Sequence, residues 1–163
     1  MLDYLGIFRE LNKEKINYIL VGGLAVNFWG IPRMTYDIDL LLYLEDKNLK
    51  RFFQLVKKWG FKPKAPVELE DFLDRKKRDF WIKNKNMKAF TLVNSRWAIS
   101  EIDIIINTPL DYKKAIKKVK KFILRTISIP VISLEDLIKM KEGSTRLQDK
   151  NDVKNLKKIL SKR

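Results

Sequence analysis

Asp37 and Asp39 stand two residues apart in the run Asp37-Ile38-Asp39-Leu40-Leu41-Leu42, where an extended chain turns both carboxylates to one side. Asp is depleted in strands, and two carboxylates a few ångströms apart repel unless something positive sits between them. A bound cation is the simplest thing that makes the pair tolerable; the other reading is an Asp-rich strand start that only terminates a turn. A third carboxylate, Asp103, lies among isoleucines in the run Glu101 to Ile106. Read as a strand, that run places Glu101, Asp103 and Ile105 on one face and Ile102, Ile104 and Ile106 on the other. An unpaired carboxylate buried there would cost several kcal/mol, so Asp103 requires a cation, either a metal or a lysine partner.

What else could do chemistry is narrowed by what is absent. The chain has no cysteine and no histidine. Disulfides, thiol chemistry, Ser-His-Asp and Cys-His catalysis, and the usual His/Cys zinc sites are excluded. Carboxylates with hard cations, lysine, arginine and hydroxyls are what remain. With 163 residues and 45% hydrophobic content, the chain suits one domain with a core. No apolar run approaches a membrane span and no signal pattern opens the sequence, so a soluble cytoplasmic protein is expected, without membrane contact.

The elements that must position the three carboxylates can be read from periodicity. Leu2 to Lys15 has helical spacing of apolar residues, and Asn17 to Val21 reads as a strand. That strand leaves through Gly22-Gly23, which permits close backbone approach, into a short helix from Leu24 to about Trp29; helix N-terminal amides favour an anion. A turn at Gly30-Ile31-Pro32 precedes the strand that opens at Asp37. Asp46 to Trp59 is predicted as a helix whose stripe of Leu49, Phe52, Phe53, Val56 and Trp59 faces the core, and Gly60 ends it. Pro63 and Pro66 mark a loop.

A helix is then expected from Val67 to Trp81, with charged residues at four-residue spacing on a solvated face. Strands are expected at Lys88 to Val93 and Ala98 to Ile106, joined by a hairpin connection over Asn94-Ser95-Arg96-Trp97. Asp111 to Val119 reads as a helix, and Phe122 to Ser133 as a single strand in which Pro130 suits an edge or a strand end. Ser133 opens a helix that runs to Lys141 and stops at Gly143. A last helix covers about Gln148 to Leu160 and turns Val153, Leu156, Ile159 and Leu160 inward.

The net charge of +15 is unevenly placed, because residues 111 to 163 hold 16 Lys/Arg against 6 Asp/Glu. Lys113/Lys117, Lys114/Lys118 and Lys117/Lys121 are like-charged at four-residue spacing, each costing a few tenths of a kcal/mol on a helix. A basic last third beside an acidic metal site attracts nucleotides or RNA. A lysine-rich solvated surface is the plain alternative.

Gly22-Gly23, followed after thirteen residues by Asp37-Ile38-Asp39 and later by Asp103 between isoleucines, resembles the nucleotidyltransferase superfamily of the DNA polymerase β type. Within it, the runs GGLAVNFWGIPRMTYDIDLLL and IPVISLEDLIKMKEGSTRLQDKND resemble the AbiEii-like group, which contains toxins of type IV toxin-antitoxin systems. Gly-Gly and Tyr36 stand where many minimal antitoxin-type members have Gly-Ser and a serine before the acidic pair, which sets this chain apart from them.

The resemblance implies an α/β (α+β) nucleotidyltransferase fold: a mixed sheet flanked by helices, with a helical C-terminus. It implies one domain over 1–163, with 1–110 as catalytic core and 111–163 as a basic, mainly helical part. Asp37 and Asp39 would hold one or two Mg²⁺ ions, and Asp103 would complete the second metal site and orient or help deprotonate an acceptor hydroxyl. Gly22 and Gly23 would meet the triphosphate of an NTP donor. Arg33 is a candidate phosphate contact, and Lys141 is preferred over Lys139 and Arg146 as a nucleotide contact. Asp149 and Asp152 read as capping and salt-bridge residues of the last helix. The acceptor implied is RNA, with tRNA foremost, or a protein, in a setting that includes a toxin-antitoxin partner. A non-catalytic nucleotide- or partner-binding module and a small-molecule (antibiotic) nucleotidyltransferase are the alternatives.

Overall fold

The computed structural model describes residues 1–163, and the strands that carry the carboxylates lie at the middle of its sheet. In chain order the elements are α1 (Tyr4–Lys13), β1 (Tyr18–Val21), α2 (Gly22–Phe28), β2 (Asp37–Leu42), α3 (Asp46–Lys58) and β3 (Lys62–Pro63). A 3-10 turn (Leu69–Leu73) leads to α4 (Arg75–Lys85), β4 (Ala89–Val93), β5 (Glu101–Ile105) and α5 (Tyr112–Ala115). A second 3-10 turn (Ile116–Lys118) is followed by β6 (Lys120–Leu124), β7 (Ile127–Val131), α6 (Leu134–Glu142) and α7 (Leu147–Ser161). The seven strands form one mixed sheet in the order β3-β4-β5-β2-β1-β7-β6.

Two strand pairings matter most. β1 runs antiparallel to β2 with Val21 opposite Asp39, and β2 runs parallel to β5 with Asp37 opposite Glu101 and Asp39 opposite Asp103. Strands buried on both faces need apolar residues throughout, which is why β1 is simply Tyr-Ile-Leu-Val and fully buried. β5 instead alternates, with Ile102 and Ile104 buried and Glu101, Asp103 and Ile105 partly exposed, as the period of two requires. A cluster of 39 buried apolar residues holds the sheet to its helices.

Most expected elements form, and the departures have local causes. The helix expected over Val67 to Trp81 is split, because Asp74 leaves helical geometry to cap α4, its carboxylate accepting from the Lys76 amide. The aromatic face is kept, with Phe72, Trp81 and Phe90 packed together. The four-residue link expected between β4 and β5 is longer, since β5 begins only at Glu101. The helix expected from Asp111 to Val119 is one turn of α-helix plus the 3-10 turn, so Lys121 lies on β6 and the Lys117/Lys121 helical pair does not exist.

The single strand expected over Phe122 to Ser133 is a hairpin. Its turn is made by Arg125 with φ of +55°, a conformation that neither glycine nor asparagine announces in the sequence. Pro130 accordingly sits near the end of β7, as one of the two options required, while the sheet edge belongs to β6. The Ser133 hydroxyl accepts from the Asp136 amide and starts α6 as read from the sequence.

Candidate active site

At one end of the sheet the first residues of β2 and β5 face the last residue of β1. Carboxylate oxygens of Asp37, Glu101 and Asp103 all lie within 4.8 Å of one another. Asp39 sits behind them, opposite Asp103 and against the Gly22 backbone. Gly22 has φ of +70°, and a Cβ there would be 2.0 Å from Asp39 Oδ2. Glycine is therefore required twice over, by its backbone conformation and by the carboxylate beside it. A Cβ on Gly23 would be 3.2 Å from the Arg33 guanidinium carbon and from Thr35 Oγ1, so that glycine makes room for the loop before β2.

That loop is fastened at several points. Tyr4 of α1 donates its hydroxyl to the Thr35 carbonyl at 3.0 Å, and Asn27 Oδ1 accepts from the Arg33 amide at 3.0 Å. Trp29 Nε1 donates to the Ile132 carbonyl at 2.9 Å, tying the end of α2 to the strand end beside it. On the other flank, Thr91 of β4 donates its hydroxyl to Asp103 Oδ1 at 2.6 Å, which fixes that carboxylate's orientation.

The electrostatics follow from four acids sharing one end of the sheet. Burial, then the charges of Asp103 and Asp37, then hydrogen bonding with Asp103 push the Asp39 carboxyl up to about 7, against a smaller opposing pull from Lys141. Asp37 is raised by burial and by Glu101 and Asp103, with Lys64 pulling the other way. Lys64 Nζ lies 3.2 Å from Glu101 Oε1 and is the cation nearest the front of the cluster. Carboxylates crowded enough to resist ionisation, with oxygens converging on one point, fit an oxygen-preferring divalent cation.

A second layer of charge lies behind. Arg33 pairs with Asp152, whose Oδ2 is also 3.0 Å from Lys141 Nζ. Lys141 Nζ is 2.9 Å from Asp149 Oδ1, and Asp149 Oδ2 accepts from Ser144 Oγ at 2.7 Å and Arg146 Nε at 2.8 Å. Burial alone would raise the Asp149 carboxyl, but the hydrogen bonds from Ser144, Lys141 and Arg146 outweigh it and hold it at about 2. Asp149 and Asp152 are thus salt-bridge residues of α7, as expected, but neither caps it: the N-cap position is Arg146 and no side chain bonds there. The ammonium of Lys141 is engaged by both of them.

Residues 5–162 match the model of a family described as nucleotidyltransferases of unknown function (DUF6036). The chain belongs to that family. Nucleotidyltransferases are enzymes, and their reaction uses a nucleoside triphosphate as donor with a divalent metal. No curated protein matches the sequence. Among solved structures, the chain is similar to the lincosamide antibiotic adenylyltransferase LnuA with lincomycin bound, at TM-score 0.63 and 19% identity, over 94% of this chain and 93% of that one. It is also similar to the antibiotic-resistance factor ANT(2'')-Ia, at 0.57 and 11%, over 94% and 80%. An antigenic nucleotidyltransferase-like protein from Paracoccidioides brasiliensis matches at 0.54 and 14%, over 96% and 73%. These likenesses are of fold, and they agree with the mixed sheet flanked by helices.

In this nucleotidyltransferase the residues singled out by sequence gather at one end of the sheet. Asp37 and Asp103 belong to the convergent trio, Asp39 is the half-buried member behind it, and Gly22, Gly23 and Arg33 line the adjoining turn. Glu101 and Thr91 are site residues to which the sequence reading assigns no role. Glu101-Ile102-Asp103 repeats the acid-x-acid spacing of Asp37-Ile38-Asp39, and that signal was available. Nothing in the sequence marked Thr91, because its contact depends on the β4–β5 register.

Proposed function

We propose that this nucleotidyltransferase moves a nucleoside monophosphate from an NTP to a hydroxyl on RNA, with tRNA the foremost acceptor, using Mg²⁺ held by Asp37, Asp39, Glu101 and Asp103. The observation that carries the reading is the register of β2 on β5, which sets two acid-x-acid pairs side by side. Mg²⁺ bound there would neutralise the donor phosphates and the departing pyrophosphate. The acceptor oxygen forms a bond to the α-phosphorus, the bond from that phosphorus to the pyrophosphate oxygen breaks, and the hydroxyl proton passes to a carboxylate. Asp103, held by Thr91 Oγ1, is the group oriented to take it. Gly22 and Gly23 leave the strand end free of side chains for the triphosphate. Arg33 and Lys141 supply positive charge behind it, their Asp152 and Asp149 partners keeping them in place.

RNA as acceptor is supported by the exposed Lys113, Lys114, Lys117, Lys120 and Lys121, none of which has an acidic partner. The AbiEii-like runs support a toxin-antitoxin setting with a partner protein. A small-molecule acceptor is the second reading, favoured by the near-complete mutual coverage with LnuA.

The test is transfer of label from each α-labelled NTP, with Mg²⁺, into total RNA, lysate protein and lincomycin, comparing wild type with Asp39→Asn. Label in RNA with wild type alone is the expected result. Label retained by Asp39→Asn would overturn the mechanism, and label in lincomycin or protein would replace the acceptor.

A further inference from the structure

A groove of about 780 Å³ opens beside the carboxylate cluster, between the end of α3, the start of β3 and the loop from β4 to β5. Lys58, Trp59, Lys62, Arg96, Trp97 and Glu101 are among its lining residues. Glu101 belongs to both places: it lines the groove and is one of the three convergent carboxylates, so the groove adjoins the carboxylate cluster.

The walls of the groove are built. Asn94 Nδ2 donates to the Trp59 carbonyl at 2.8 Å, and the Asn94 amide donates to the Ser100 carbonyl at 2.9 Å. Asn94 Oδ1 accepts from the Arg96 amide at 3.0 Å, so one buried side chain ties the β4–β5 loop to the end of α3. The half-buried ring of Trp97 is braced by Trp59, centroids 5.9 Å apart, and by the edge-on ring of Phe61 at 5.3 Å.

The charge is one-sided. Lys58, Lys62 and Arg96 are exposed and have no acidic partner, while Glu101, the one acid in the lining, is already paired with Lys64. Cations in that excess along a groove with a braced indole suit a phosphate backbone and a base that stacks. A cationic antibiotic would meet repulsion instead.

We infer that this groove is the acceptor site of the enzyme and takes the hydroxyl-bearing end of a single RNA strand, its phosphates on Lys58, Lys62 and Arg96 and a base on Trp97. The assignment rests on the transfer reading above. It adds which surface delivers the hydroxyl and which residues choose the acceptor.

The experiment uses a fluorescein-labelled twelve-nucleotide single-stranded RNA, with binding followed by anisotropy at several salt concentrations and label transfer to the same RNA from an α-labelled NTP. Lys62→Glu/Arg96→Glu changes exposed side chains only, and Lys117→Glu/Lys121→Glu imposes the same charge change on the basic last third. The expected result is at least a tenfold loss of RNA affinity and a shallower salt slope, by about two phosphates, in the first variant, with a clearly smaller loss in the second. Trp97→Phe, which keeps a braced ring, should retain more affinity than Trp97→Leu at equal melting temperature.

Equal losses in the two charge variants, no binding by wild type at 50 mM salt, or transfer to RNA undiminished in Lys62→Glu/Arg96→Glu would each overturn the assignment. Failure of the transfer reading is separate: RNA then binds the groove, and binding depends on Arg96, but no label reaches it. That outcome leaves an RNA-binding groove and removes its role as an acceptor site.

Discussion

Asp39 on β2 lies directly opposite Asp103 on β5, in the parallel register that also sets Asp37 opposite Glu101. Like charges placed side by side on paired strands destabilise a sheet. A fold that keeps four of them at one end is therefore arranged for something other than its own stability. Activity and stability should pull in opposite directions at this site.

Asp39→Asn tests that opposition. It removes a carboxylate from the proposed metal site and should lower transfer by at least two orders of magnitude. It also removes a buried charge that repels Asp103 and Asp37, so the metal-free protein should melt at a higher temperature than wild type at pH 8. A calorimetric scan in EDTA showing a lower melting temperature for the variant would contradict the electrostatic account.

The pH dependence of metal-free stability follows with a definite sign. The folded protein holds the Asp39 proton up to about 7, whereas the unfolded chain releases it near the ordinary value of 3.8. Between those values the native state binds more protons, so stability falls as pH rises towards 7 and then levels off. Asp37 adds to the same trend. Asp149 acts oppositely: held at about 2, it contributes stability above 3.8 that is lost as pH falls below it. From these groups, melting temperature in EDTA should accordingly peak near or just below the ordinary carboxyl value of 3.8 and fall from there to about pH 7. Added Mg²⁺ binds the ionised carboxylates, so the increment in melting temperature should be larger at pH 8 than at pH 5.5.

Gly22→Ala should damage both properties. The new Cβ would meet Asp39 Oδ2 at 2.0 Å on a residue with φ of +70°, and relief requires moving either the carboxylate or the end of β1. Overpacking with left-handed strain costs about 1–3 kcal/mol, and the displaced carboxylate should weaken Mg²⁺-dependent transfer. Gly143→Ala is the matched control, because that position has open space and a negative φ. If both variants melt and react alike, the close approach of Gly22 to Asp39 is not what the position requires.

How far the sequence shows this site depends on which contacts are local. Asp37 and Asp39, with the alternating faces of β5, follow from a period of two within one strand, and Gly22 from a strand-to-helix turn. All of that is legible. Glu101 is equally legible by spacing, two residues before Asp103 on the same face of β5. Thr91, Lys64 and the Arg33–Asp152 pair depend on strand order and on helices brought together from opposite ends of the chain, 119 residues apart in the last case. The β6–β7 hairpin was hidden because Arg125 adopts a left-handed turn without a glycine, and the split of the 67–81 helix because Asp74 reads equally well as a helix residue or a cap.

Asp152 gives the sharpest test of the layer behind the carboxylates. Its side chain is 6% exposed and neutralises both Arg33 and Lys141, and Arg33 Nε is buried without a partner of its own. Asp152→Ala leaves the largely buried Arg33 without an acidic partner and Lys141 with Asp149 alone, which already takes Ser144 and Arg146. Breaking a buried pair from one side costs about 3–5 kcal/mol, or a fall in melting temperature of roughly 6–20 °C for a chain of this size. Removing the exposed Lys157, paired with Glu142 at 2.9 Å, should cost less than about 1 kcal/mol. The freed positive charge also lies towards Asp39, which Lys141 already pulls to lower pKa. The decline of stability with rising pH should therefore be smaller, and level off at lower pH, in Asp152→Ala than in wild type. A melting profile shifted downward at every pH with its shape unchanged would mean that α7 holds the site together mechanically and does not tune its charge.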